Sequence, residues 1–176
     1  ILKKNNFKIA TILPYKENYT FNKASAASLW VSEFYKSSNF KKNNIVFGNT
    51  KSKDYLTQNY KNIIIKSLNS KLSSSTNEYC SKLIKEINNK NFDLVEIHNR
   101  PLILKNLCVN LNKKFLFYFH NDPLSMKGSK SIEERLFILK NVEKIIFVSK
   151  WVQNRFFLNI DEKLKTKTEV IYPSVN

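Results

Sequence analysis

Short apolar runs alternate along this chain with segments of helical period, and that alternation constrains the fold more than any other feature. Ile9 to Leu13, Asn44 to Phe47, Asn62 to Ile65, Leu94 to Ile97, Phe115 to Phe119, Ile145 to Val148 and Val170 to Tyr172 read as strands, because they are short, near-continuous in apolar character and punctuated by residues such as Pro14. Helical spacing fills the intervals. Ala27, Trp30, Val31 and Phe34 repeat within Lys23 to Ser37, and Tyr79, Leu83, Ile84 and Ile87 form the inner face of a second helix. Leu104, Leu107, Cys108 and Leu111 follow Pro101, Ile132, Leu136 and Leu139 mark a fourth helix, and Lys150 to Leu158 a fifth. Ser75 with Glu78, and Ser131 with Glu134, have capping-box spacing. The serine-rich stretch Leu68 to Ser75 reads as a loop. Buried strands separated by helices predict an α/β fold, a Rossmann-like parallel sheet with helices on both faces. With no repeat and no second core, one domain over residues 1–172 is expected.

Size and charge narrow the classes. A chain of 176 residues, 42% apolar and 13% aromatic, can fill a proper core. No apolar run approaches the ~20 residues that span a bilayer. Ile1 to Asn6 lack the apolar core and cleavage site of a secretory signal, so a cytoplasmic protein is expected. The net charge of +16 fits nucleic acid, an anionic lipid surface or phosphate-bearing substrates, and it equally fits a Lys- and Asn-rich bias that leaves every solvated face basic. Base recognition is disfavoured, because Arg100, Arg135 and Arg155 are the only arginines and the lysines are scattered. Nucleic acid is therefore not an expected partner. Weak attraction to an anionic membrane stays open, at about 1 kcal/mol per lysine near the surface. Cys80 and Cys108 lie far apart and beside no histidine, which favours free thiols in helices over a disulfide or a zinc site.

Parallel sheets bind ligands outside the carboxyl ends of their strands. Both histidines fall there: DLVEI runs into His98-Asn99-Arg100-Pro101, and KFLFYF into His120-Asn121-Asp122-Pro123. The pair marks either two ordinary strand-to-helix turns or a ligand-facing edge. Glycine is absent from the turn Pro14 to Asn18, and only Gly48 and Gly128 occur in the chain. That excludes a dinucleotide fingerprint, a P-loop and a serine nucleophile elbow. The small residues Ala24 to Ser28 at the first helix either expose its amides to an anion or let it pack close to the sheet. Ser149 is a good cap, and with Lys150 it also fits the lining of the same crevice.

The order ILPYKENYT, a helix of small residues, VEIHNRP, FYFHNDP, EERLFILKNVEKIIFVSKWVQNRF and EVIYPSVN resembles the N-terminal half of glycosyltransferase family 4, over nearly the whole chain. The most specific pieces are FHNDP and IIFVSKWVQNRF. The resemblance implies one half of a GT-B architecture, in a retaining enzyme that moves a sugar from a nucleotide-sugar donor to a glycan or lipid-linked acceptor, as in cell-envelope polysaccharide synthesis. It implies no metal and no bound cofactor. His120 matches the catalytic histidine that projects toward the transferred sugar. Lys23, Ala24, Ser25 and Ala26 fall where the donor diphosphate is approached, although the glycines common in that loop are missing here. His98, Asn99, Arg100, Asn121, Asp122, Ser149 and Lys150 would line the acceptor crevice. Residues 173–176 fall where the family crosses to its donor-binding domain, so a further domain or a separate chain is the expected partner and this piece alone is expected to be inactive. The alternative is a non-catalytic, basic membrane-docking or partner-binding module of a split transferase. Its motive is the charge and the aromatics Trp151, Phe156 and Phe157, whose helical spacing also fits core burial.

Overall fold

Among the described residues seven parallel strands form one sheet, in which the first three lie side by side in reverse chain order and the last four follow the first in chain order, with helices around it. The computed structural model describes residues 7–66 and 74–173. Of the loop expected over Leu68 to Ser75, residues 68–73 lie outside them, as do Ile1 to Asn6 and the hinge residues from Ser174 onward, whereas Ser74 and Ser75 open a helix instead. The chain divides into two compact units, Ile1–Val95 and Glu96–Asn176.

The first unit holds β1 (Ile9–Ile12), α1 (Ala26–Ser37), β2 (Asn44–Gly48), β3 (Tyr60–Asn62) and α2 (Ser75–Lys90). β1 is buried along its whole length and pairs in register with β2, Ile9 opposite Asn44 and Ile12 opposite Phe47. Its core gathers Leu13, Tyr19, Val31, Val46, Leu56 and Tyr60. β3 begins two residues earlier than its apolar run suggests. Tyr60 pairs with Val46 and is buried, whereas Ile64 is 66% exposed. The cap of α2 is also displaced by one residue: Ser74, not Ser75, accepts from the Asn77 amide. Glu78 instead accepts from the Lys66 amide and pairs with Lys82. On α1, Val31 is buried but Phe34 is exposed, stacked on Trp30.

β4 (Leu94–His98) leads into the second unit, with α3 (Pro101–Asn110), β5 (Lys114–Phe119), α4 (Ile132–Asn141), β6 (Lys144–Phe147), α5 (Lys150–Phe156) and β7 (Thr168–Val170). Phe119 stacks on Phe147 at 5.6 Å, and Phe156 of α5 tilts against both at 5.3 and 5.4 Å. This triangle of fully buried rings seats α5 on two strands. The Ser131–Glu134 capping box is present. The inward face of α4 differs from the one its apolar residues suggest: Ile132 and Leu136 are 36% and 40% exposed, while Arg135, Ile138 and Leu139 are buried. The cause is Arg135, whose guanidinium reaches backbone carbonyls beyond the helix. Three left-handed backbone positions are taken by asparagine, at Asn91, Asn99 and Asn159. Asparagine is the residue after glycine that best tolerates this conformation.

Candidate functional site

In the second unit, the carboxyl ends of β4 and β5 bring three of the expected residues together, His98, Asn99 and His120. His98 ends β4 and His120 directly follows β5. Their rings lie 5.2 Å apart, and His98 Nδ1 and His120 Nε2 share a hydrogen bond of 2.9 Å. Tyr118 stacks on His98, with the ring centres 4.4 Å apart. Asn99 stands at φ 56° and fixes the turn twice. Its amide N–H donates to the Tyr118 carbonyl at 2.9 Å, and its side-chain oxygen accepts from the His120 amide at 3.0 Å. A left-handed residue was needed to send the chain off the strand, and asparagine supplies the acceptor as well.

Burial sets the protonation of the pair. His98 is 1% exposed and His120 is half-buried. Desolvation pushes His120 down to about 4, and desolvation together with the neighbouring ring holds His98 well below the ordinary imidazole range. Both rings are therefore neutral at neutral pH, and one proton lies between the two nitrogens. The ring of His98 meets those of His120 and Tyr118.

Around His120 the loop is braced by charge. Asp122 caps the 3-10 turn Pro123–Ser125 through the Leu124 amide and is gripped by Arg155 of α5, with contacts of 3.0 and 3.3 Å. The Arg155 hydrogen bond holds the Asp122 carboxyl below its ordinary value. Gly128, at φ 91°, lets the same loop pass close to Pro101 and Leu102; a Cβ there would sit 3.0 to 3.2 Å from them. Asn121 is exposed and Arg100 half-buried, at the start of α3. Ser149 caps α5 by accepting from the Val152 amide, and exposed Lys150 reaches Gln153 at 3.5 Å. Of the three aromatics in and after α5, Trp151 is 59% exposed while Phe156 and Phe157 are buried in the core. The thiols of Cys80 and Cys108 are free, and burial pushes them up to about 12 and about 11.

The first unit carries a crevice of about 570 Å³ at the carboxyl ends of β1, β2 and β3. Lys23 lines it, with Tyr15 and Lys16 from the same connection and Asn49 and Lys51 after β2. Ser25 caps α1 through the Ser28 amide, flanked by half-buried Ala24 and exposed Ala26. A hydrogen-bond net stiffens this rim. Asn62 exchanges two bonds with the Thr50 backbone, at 2.7 and 2.9 Å, and the Thr50 hydroxyl accepts from the Tyr19 amide and Tyr60 Oη. Asn49 donates to the Ile63 carbonyl at 2.7 Å. Gly48 is glycine because a Cβ would lie 2.7 Å from that tyrosine hydroxyl. Sequence reasoning found Lys23 but missed Lys16, Lys51 and Arg155, since their partners lie far along the chain.

No group of three or more His, Cys, Asp or Glu among the described residues is placed to hold a metal ion, and among them no helix is long and apolar enough to cross a membrane. No family model and no curated protein matches the sequence. Solved structures do match in fold. HepE of Anabaena in complex with UDP-glucose superposes with a TM-score of 0.66 at 13% identity, over 97% of this chain and 45% of that one. A glycosyltransferase from Rickettsia africae gives 0.64 at 19%, over 98% and 44%. Sucrose-phosphate synthase of Thermosynechococcus elongatus gives 0.62 at 13%, over 95% and 48%. The chain thus has the α/β Rossmann-like fold of one half of a GT-B architecture, and spans somewhat under half the length of these neighbours.

Proposed function

We propose that this chain is the acceptor-side half of a retaining glycosyltransferase that takes its sugar from a nucleotide-sugar donor. The observation that carries the reading is His120: a neutral, half-buried imidazole at the carboxyl end of β5, held by His98 and by Asn99. A ring fixed by a hydrogen bond, a stack behind it and a pinned backbone amide is preorganised for contact, which is what stabilises developing charge without reorganisation. Being neutral, it orients the transferred sugar without repelling the oxocarbenium character that grows as the glycosidic phosphate bond breaks. His98 acts through His120 as a positioning residue. Asn121, Asp122, Arg100, Ser149 and Lys150 surround the acceptor, with Arg155 holding Asp122 in place. Fold neighbours that include an Anabaena protein in complex with UDP-glucose support the donor class.

Transfer is measured with the chain joined to its donor-binding domain or subunit. His120→Ala should lower kcat by roughly 10²-fold or more, the scale for losing one preorganised contact, with the cooperative unfolding transition retained. Near-normal turnover would remove His120 from the reaction.

A further inference from the structure

Trp151 is a large apolar ring left in the open at the ligand-facing edge of the second unit. β5 and β6 end together there, Phe119 opposite Phe147, and Trp151 stands in the first turn of α5 just beyond β6. More than half of its side chain is exposed, whereas every phenylalanine of this unit except half-buried Phe137 is buried. The ring is nevertheless held. Arg155, one helical turn on, lies over it with the guanidinium carbon 5.8 Å from the ring centre. Arg155 in turn grips Asp122 of the loop that carries His120, at 3.0 and 3.3 Å, and Asp122 is anchored on the Leu124 amide. Indole, guanidinium and carboxylate thus form one row from α5 to that loop, and the order of the exposed ring is established before any ligand arrives.

The chemistry around the ring selects its occupant. An aromatic face is electrostatically negative, and it meets the weakly positive C–H bonds that a sugar ring presents on one side. The hydroxyls at the rim of such a ring need polar partners. Lys150 beside Trp151 and Asn121 beside Asp122 are both exposed and supply them. A lipid surface or an apolar helix needs a continuous apolar patch instead. The exposed neighbours of Trp151 on α5 are Lys150 and Asn154, and Leu158 lies past the end of the helix. We propose that Trp151 is a specificity-determining residue, the platform on which one sugar ring of a saccharide stacks by its C–H face, with Asn121 and Lys150 on the hydroxyls. That this saccharide is the acceptor rests on the transferase reading above; that Trp151 stacks it does not.

The test needs no turnover. An array of neutral, acidic and amino-sugar oligosaccharides is probed with the full chain, and each glycan retained is titrated in solution against chain labelled with fluorotryptophan. Trp30 and Trp151 are the two tryptophans, so their fluorine resonances are assigned by one substitution. Glycan binding is expected to move the Trp151 resonance and leave that of Trp30 in place. Trp151→Ala should weaken binding by about tenfold or more, the scale for truncating an aromatic anchor. Trp151→Tyr, which keeps a ring face, should stay within about threefold. An array on which nothing is retained, or one whose signals Trp151→Ala leaves unchanged, overturns the platform. Uridine or sugar-free anionic vesicles moving the Trp151 resonance where no glycan does would overturn the saccharide assignment. The transferase reading fails separately: glycan binding lost in Trp151→Ala beside normal turnover in His120→Ala would keep the platform and remove the transfer step, and an empty array beside lost turnover would do the reverse.

Discussion

His98 Nδ1 and His120 Nε2 lie 2.9 Å apart across the ends of two neighbouring strands, and both imidazoles are neutral in the folded chain. A histidine whose folded pKa is depressed binds fewer protons than the same residue unfolded. Above the ordinary imidazole value, near 6.5, neither state takes up the proton and the pair costs nothing. Below it the unfolded chain charges first, so stability falls as pH drops from about 6.5 toward about 4, where His120 follows. From His120 alone the loss is on the order of 3 kcal/mol. Urea unfolding at several pH values should show this slope, and the double substitution of His98 and His120 by Phe should flatten it. An equal slope in the two proteins would mean that other groups set the acid limit.

Asn99 combines two roles that substitution separates. Asn99→Gly keeps the left-handed backbone but removes the acceptor for the His120 amide, a loss of about 1 kcal/mol. Asn99→Ala removes the acceptor and also forces a Cβ-bearing residue without a local hydrogen bond to φ 56°, which adds about 1 kcal/mol. The expected order of stability is Asn above Gly above Ala, read from chemical denaturation midpoints. Alanine equal to glycine would show that the backbone conformation relaxes freely.

The sequence carries the architecture well because strand and helix periods are local signals. Five of the seven strands overlap their apolar runs closely, β7 shares only Val170 with its expected run Val170 to Tyr172, and both histidines fall on the strand ends where the alternation puts them. β3 departs because hydrophobicity does not say which residue meets the ladder: the exposed Ile64 belongs to the apolar run, while Tyr60, preceded by polar residues, pairs with Val46. The bracing of the site is illegible for a different reason. Arg155 reaches Asp122 across 33 residues, and Lys16 meets Lys51 in one crevice only because three strands end side by side. Such contacts are products of the topology and leave no mark in local spacing. Arg135 shows the limit most plainly, since the pattern of α4 marks Leu136 as its inward residue.

Arg135 is 3% exposed and donates to the carbonyls of Ser131, Phe156 and Leu158. Two of these acceptors stand at the end of α5, where helical carbonyls lose their internal donors, so the guanidinium acts as the C-terminal cap of a neighbouring helix. Two effects oppose each other when it is replaced. Arg135→Met removes a buried charge, whose desolvation already presses its pKa down, and that is a gain. It also strips the guanidinium from the carbonyls of Phe156 and Leu158, at about 1 kcal/mol or more each for bonds to a charged group, while that of Ser131 keeps the backbone amide of residue 135. The second term wins, and a net loss of about 2 kcal/mol is expected. Arg135→Lys should not rescue, because one ammonium on a flexible stem lacks the fork that spans two carbonyls. Hydrogen exchange is the discriminating measurement. Amides of α5 should exchange faster in both variants, while those of α3 should keep pace with global stability; a loss shared equally by every helix would deny Arg135 its capping role.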